Sequence, residues 1–338
     1  MKSQRLAGYA PLTMTIESFE LDETLPPGHM LVEAHTTAIS AGTEIANYRG
    51  MTHQHSAELK DWSDKPYFPG YSLAGIVLKI GPGVTEFAVG DRVCGMAKHA
   101  SHAVVDSHQF VHIPDGVSFD YAAMTTLTCI VMNAVRLAKL ELGESVAVIG
   151  AGLIGQLAVQ LSRLDGARPV VAIDPIEARR KLAHESGSDF EIDPMATDRA
   201  AQIKRIVGDR GFNCVFEATG SPAPFNDALK MIGFGGKMIL LGSTRGKVEQ
   251  FDPYADVHLN GVTMIGAHMR THPAHETQFN RWTWVNNRKL ALTLIRDGDL
   301  KLEPLISHRE SASMGPEMFR RLHEARESFY GVLLHWDH

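Results

Sequence analysis

The stretch Gly150-Ala151-Gly152-Leu153-Ile154-Gly155 has the residue types and spacing to hold a diphosphate. It follows the apolar run SVAVI and opens the amphipathic run LIGQLAVQLSRLDG, which places it on a strand-to-helix turn. Gly150 permits the tight turn, Gly152 lets the backbone approach the pyrophosphate, and Gly155 lets helix and strand pack closely. The unsatisfied N–H groups of that helix start, Leu153 and Ile154 among its residues, favour an anion. The next strand, PVVAID, ends in Asp174, 19 residues beyond Gly155. A carboxylate there accepts the ribose hydroxyls of NAD and repels the 2′-phosphate of NADP. The spacing predicts an NAD site. Arg179 and Arg180 follow and read as a solvated helix face.

Histidine is the other chemistry-bearing residue, with 17 in the chain. His53 and His55, His99 and His102, and His268, His272 and His275 form three groups. None has a carboxylate or thiolate spaced to complete a zinc site, so no metal ligands are assigned. His53, His55, His272 and His275 read as solvated loop residues. His99 and His102 stand between a structural role and acid–base work near neutral pH. The cysteines, Cys94, Cys129 and Cys214, are far apart and fit no disulfide framework.

The elements that must position these residues change along the chain. A length of 338 residues with 44% hydrophobic content predicts two domains. Up to about residue 115, the runs GHMLVEAHTTAIS, LAGIVLKIG, GDRVCGMA and HAVVDSHQFVHIP read as strands separated by turn residues. From about 120 to 268, SVAVIG, PVVAID, NCVFEAT, KMILLGS and VTMIGAH alternate with amphipathic stretches, the pattern of parallel βαβ units. The remainder returns to helix, in RWTWVNNRKLALTLIRDG and MGPEMFRRLHEAR, and ends in a strand, YGVLLHW. A formal net charge of −6 gives no electrostatic case for nucleic acid or an anionic membrane as partner. No run has the length of a signal peptide core or a membrane span, and a cytoplasmic protein is expected.

The chain resembles the medium-chain dehydrogenase/reductase superfamily. The resemblance rests on SAGTE, FPGYSLAGIV, IGPGVTEFAVGDRV, GESVAVIGAGLIGQLAVQLSR, FEATGS and GGKMILLG. The turn Gly81-Pro82-Gly83-Val84 followed by Gly90-Asp91-Arg92-Val93 is its most specific combination. It implies an α/β architecture in which a GroES-like β-barrel catalytic domain (1–120 and 269–338) joins a doubly wound Rossmann sheet (121–268), with the active site in the cleft. Thr219, Gly242 and Ser243 join the expected cofactor-binding residues.

Zinc-dependent members carry ligands at three positions that here fall on Ala41, Tyr71 and Thr126, with Ser72 replacing a Glu beside the second. Ala has no donor atom, and Tyr and Thr are poor zinc ligands. The resemblance therefore implies a zinc-free enzyme in which Thr43 starts a proton relay and Glu44 is a supporting acid. Tyr71 either polarises the substrate carbonyl or lines the pocket. His99 and His102 are the acid–base candidates. Trp62 and Tyr67, amid polar residues, favour a polyhydroxylated small molecule, a sugar, polyol or cyclitol, as the secondary alcohol or ketone. Trp282 and Trp284 read first as helix packing. The alternatives are a zinc-free quinone or enone reductase, a bacteriochlorophyllide-type hydroxyethyl dehydrogenase, and a non-catalytic nucleotide-binding subunit. The apolar edge strand in GVTMIGAH predicts a homodimer or homotetramer.

Overall fold

Alternation of apolar and polar residues builds the first unit, and near-continuous apolar runs build the second. A computed structural model describes residues 1–51, 66–273 and 275–336. It divides into Met1–Cys129 with Pro273–His338, and Ile130–His272. These boundaries fall nine and four residues later than 120 and 268, because the helix Thr125–Ala138 carries the chain from one unit into the other.

In the first unit the 11-residue strand His29–Ile39 is the hub. It pairs antiparallel with Leu73–Ile80, Gly331–His335 and His102–Asp106. The sheet continues through Arg92–Gly95 to Val111–His112 on one side and from Gly331–His335 to Ile306–Ser311 on the other. The run HAVVDSHQFVHIP is thus two strands and not one. The turn Ser107–Gln109 divides it, and Asp106 caps that turn by accepting the His108 N–H at 3.0 Å. Leu6, Met30, Val32, Leu73, Phe319 and Trp336 belong to this unit's core. The hairpin of Lys2–Ala7 with Thr15–Glu20, and the strand Ile306–Ser311, lie outside the predicted strands; their mixed polar sequences hide the period of two.

The second unit is a six-stranded parallel sheet. Its strands stand in the order Phe190–Ile192, Val170–Ile173, Val146–Ile149, Phe212–Glu217, Ile232–Leu240 and Thr263–Gly266. Numbered along the chain that order is third, second, first, fourth, fifth, sixth, the doubly wound arrangement. The strand order reverses beside Val146–Ile149, so the carboxyl end of this strand, where Gly150 begins, is the expected ligand position. Ala147, Ile149, Val171, Phe212 and Met238 form part of the core beneath it. Phe190–Ile192 was too short to read from sequence. Among the described residues no helix is long and apolar enough to cross a membrane.

Candidate functional site: a dinucleotide loop and a tyrosine-centred cluster

The glycine loop has the geometry its spacing demands. Gly150 has φ +91°, and a Cβ there would lie 2.7 Å from Thr219 Cγ2. A Cβ on Gly155 would lie 1.8 Å from the Gly150 carbonyl oxygen, so only glycine lets this helix pack on the strand. Gly152 caps the helix Leu153–Leu164 and has no atom within 4 Å of where a Cβ would be. That open space, at the N-terminus of a 12-residue helix, fits a dinucleotide diphosphate.

Both carboxylate oxygens of Asp174 are engaged. Its Oδ2 accepts the Ala151 N–H and its Oδ1 accepts the Ile176 N–H, each at 2.8 Å, so the carboxylate braces the glycine loop. The residue is almost wholly buried and lies 3.9 Å from Arg179 Nη1. Arg180 donates to the Asp174 carbonyl at 2.7 Å and lies 3.4 Å from Asp193. Arg179 and Arg180 are therefore not a solvated face: each side chain is only 17% exposed. The apolar helix period concealed this because the stems are buried and only the heads find acids.

Sequence reasoning passed over the residue that holds the other cofactor loops. Glu217 is completely buried; its Oε1 accepts the Thr219 N–H at 2.7 Å and the Thr219 hydroxyl, and its Oε2 accepts the Thr244 hydroxyl at 2.6 Å. Gly242 donates to the Glu217 carbonyl at 2.6 Å, and a Cβ on Gly242 would lie 3.1 Å from Oε2. The Ser243 backbone packs against Gly220, whose φ is +70°. Glu217 thus ties the loop of Thr219 to that of Gly242–Thr244, through its carboxylate at Thr219 and Thr244 and its backbone carbonyl at Gly242. Its position inside FEATGS was the available signal.

In the first unit the structure gathers Ser40, Thr43, Glu44, Tyr71 and His99. Thr43 opens the short helix Thr43–Tyr48. Gly70, at φ +102°, turns the chain so that Tyr71 precedes the strand Leu73–Ile80; a Cβ on Gly70 would lie 2.3 Å from the His99 backbone nitrogen. Ser40 and Thr43 hydrogen-bond the Tyr71 phenol. Burial, and then the charge of Glu44, hold that phenol far above its ordinary 10.0 despite those two bonds. Tyr71 is therefore a neutral hydrogen-bond donor at any working pH.

Glu44 and His99 are both fully buried and paired, His99 Nε2 to Glu44 Oε2 at 2.9 Å. Glu44 Oε1 accepts the Ser40 N–H at 2.9 Å. His99 Nδ1 finds no partner among the described residues. A ring donating from Nε2 carries only a lone pair at Nδ1, the less costly atom to leave unpaired. His99 accordingly positions Glu44, and solvent does not reach it. His102 is separate: Ser101 Oγ lies 3.0 Å from its Nδ1 and Glu33 3.7 Å from its Nε2.

The positions at which zinc-dependent relatives carry ligands do not fit a zinc ion here. Ala41 packs against the core and offers no donor. The Tyr71 phenol is neutral, and Ser72 donates its hydroxyl to the Ala123 carbonyl. Thr126 Oγ1 receives Arg288 Nη2 at 3.4 Å, so a cation there would face a guanidinium. Among the described residues no three His, Cys, Asp or Glu side chains form a group that could hold a metal. Arg288 is itself a surprise, since an arginine beside a lysine in a helical run reads as exposed. It is fully buried, donates to the Gln109 carbonyl at 2.7 Å, and keeps the Cys94 thiol from rising as far as burial alone would push it. His272, read as solvated, is buried with Nδ1 2.9 Å from the Met269 carbonyl, while His275 is exposed. His53, His55 and Trp62 lie outside the described residues.

Comparison with known proteins identifies the family of each unit. The zinc-binding dehydrogenase family matches residues 154–284, and the alcohol dehydrogenase GroES-like domain matches residues 26–132. The chain is 25% identical over 334 residues to a D-guloside 3-dehydrogenase of Escherichia coli (strain K12), covering 94% of this chain and 95% of that one. It is 31% identical over 274 residues to an alcohol dehydrogenase of Geobacillus stearothermophilus, covering 70% and 80%. A crystal structure of a zinc-binding dehydrogenase from Sinorhizobium meliloti 1021, bound to NADP, has the same fold. Its TM-score is 0.81 at 21% identity, over 99% of each chain. The chain belongs to the medium-chain dehydrogenase/reductase superfamily, with a GroES-like unit and a Rossmann-type parallel sheet.

Proposed function

We propose that this protein interconverts a secondary alcohol and a ketone on a polyhydroxylated small molecule, using NAD and no metal. The observation that carries the reading is the Tyr71 phenol, bonded to Ser40 and Thr43 at a position where zinc-dependent relatives have a metal ligand. The similarity to a D-guloside 3-dehydrogenase supports the substrate class.

A nicotinamide dinucleotide, held by Gly150, Gly152, Leu153, Ile154, Gly155 and Asp174 with the loops of Thr219, Gly242 and Ser243, supplies the hydride acceptor or donor. The chain's own residues manage the oxygen. In reduction, Tyr71 donates a hydrogen bond to the carbonyl oxygen and stabilises the negative charge that develops there. Because the phenol stays neutral, it serves as a donor and not as a phenolate base. The phenol passes its proton to the alkoxide and regains one through the hydroxyls of Ser40 and Thr43, the latter partly exposed and so open to solvent. Glu44 fixes Ser40 through the backbone N–H, and His99 fixes Glu44. Asp174 favours NAD because a 2′-phosphate would meet its carboxylate.

A panel of sugars, polyols and cyclitols assayed with NAD and NADP, read by the absorbance of the reduced cofactor, tests the reading. Turnover of at least one member with NAD is expected. Activity confined to enones or quinones with NADPH would overturn it.

A further inference from the structure

Tyr71 also lines a cavity of about 500 Å³ within the first unit. That is the size of a small-molecule site. Phe19, Phe68, Met96, Ala97, Ala103 and Val105 line it. Of the polar side chains on the wall, Arg5, Asp106 and His102 are already engaged, while the exposed Lys98 and Gln109 also line it. Arg5 donates to Glu17 at 2.8 Å and lies flat over Phe19 and Phe68, at 4.4 and 3.9 Å from the ring centroids. Asp106 accepts from the His108 N–H at 3.0 Å, with His108 Nδ1 also 3.0 Å away, and His102 Nδ1 is 3.0 Å from Ser101 Oγ. Apart from Lys98 and Gln109, such a wall offers hydrocarbon more than it offers hydroxyl groups.

Ser40 and Thr43, which hold the phenol, do not line this cavity; Tyr71 alone belongs to both. We infer that the substrate is amphipathic: a hydroxylated ring whose reacting oxygen meets Tyr71 and whose apolar substituent, an alkyl or aryl group, fills the cavity. This rests on the proposed alcohol–ketone chemistry and narrows it from free polyols to hydroxylated rings with an apolar substituent, such as alkyl or aryl glycosides. Binding of the substituent is the same in ground and transition state, so chain length acts on KM and leaves kcat alone.

The test is a series from methyl to hexyl glycoside of one accepted sugar, measured for kcat/KM with NAD and, independently of turnover, by calorimetric binding. Affinity should rise about three- to fourfold per added methylene until the cavity is full. Ala97→Phe, which places a ring in the cavity, should flatten that slope, and its melting temperature and dinucleotide affinity show that it has folded. If that variant does not fold, the smaller Ala97→Leu and competitive inhibition by n-hexanol make the same test. Turnover of the sugars with a flat slope would overturn this inference and leave the alcohol–ketone reading standing. A binding slope without oxidation would do the reverse.

Discussion

In the proposed reaction two side chains carry most of the chemistry, and each has a variant that isolates it. Tyr71→Phe removes one hydroxyl and little volume. If the phenol stabilises the developing oxyanion, kcat falls on the order of a hundredfold. Dinucleotide affinity should not change, because the glycine loop and Asp174 belong to the other unit. A variant with intact kcat and a raised KM would show that the ring only lines the pocket. Asp174→Asn keeps an acceptor for one of the two backbone N–H groups that Asp174 holds and removes the charge. The preference for NAD over NADP should fall about ten- to a hundredfold, in line with one charge interaction at short range in a partly screened site. An unchanged ratio in paired kcat/KM measurements would mean that the carboxylate braces the loop and selects nothing.

The elements that hold these residues were legible to different degrees. Gly150, Gly155 and Asp174 could be placed because a dinucleotide loop is local: strand, turn and helix follow one another in sequence. The Glu44–His99 pair could not, since its partners are 55 residues apart and nothing local distinguishes a buried histidine from an exposed one. Arg288 escaped for the same reason, its partners Gln109 and Thr126 lying 179 and 162 residues away. At Gly70 the local and the long-range meet. Its φ of +102° and the His99 backbone nitrogen 2.3 Å from a would-be Cβ leave no room for a side chain. Gly70→Ala should destabilise the first unit by about 3 kcal/mol, combining backbone strain with overpacking, and displace Tyr71. Denaturant unfolding measures this; a loss below about 1 kcal/mol would show that the loop yields.

On the scale of the whole chain, the buried groups that sequence treats as inert set the alkaline limit. Burial pushes the Cys214 thiol from 9.0 up to about 12, with Lys237 opposing and Glu144 assisting. The unfolded chain gives up that proton first. The contribution to stability is therefore complete below pH 9 and is lost as pH rises toward about 12. Melting curves above pH 9 should show Cys214→Ala losing about 1 kcal/mol less per pH unit than the native chain. Parallel declines would place the alkaline limit elsewhere. The molecule's central feature remains a zinc-type frame whose ligand positions hold Ala41, Tyr71 and Thr126, with a guanidinium at the last. The most direct measurement is zinc content paired with turnover, before and after dialysis against a chelator. Well under one zinc per chain and unchanged turnover are expected. One zinc per chain, whose removal abolishes turnover and whose return restores it, would contradict the account.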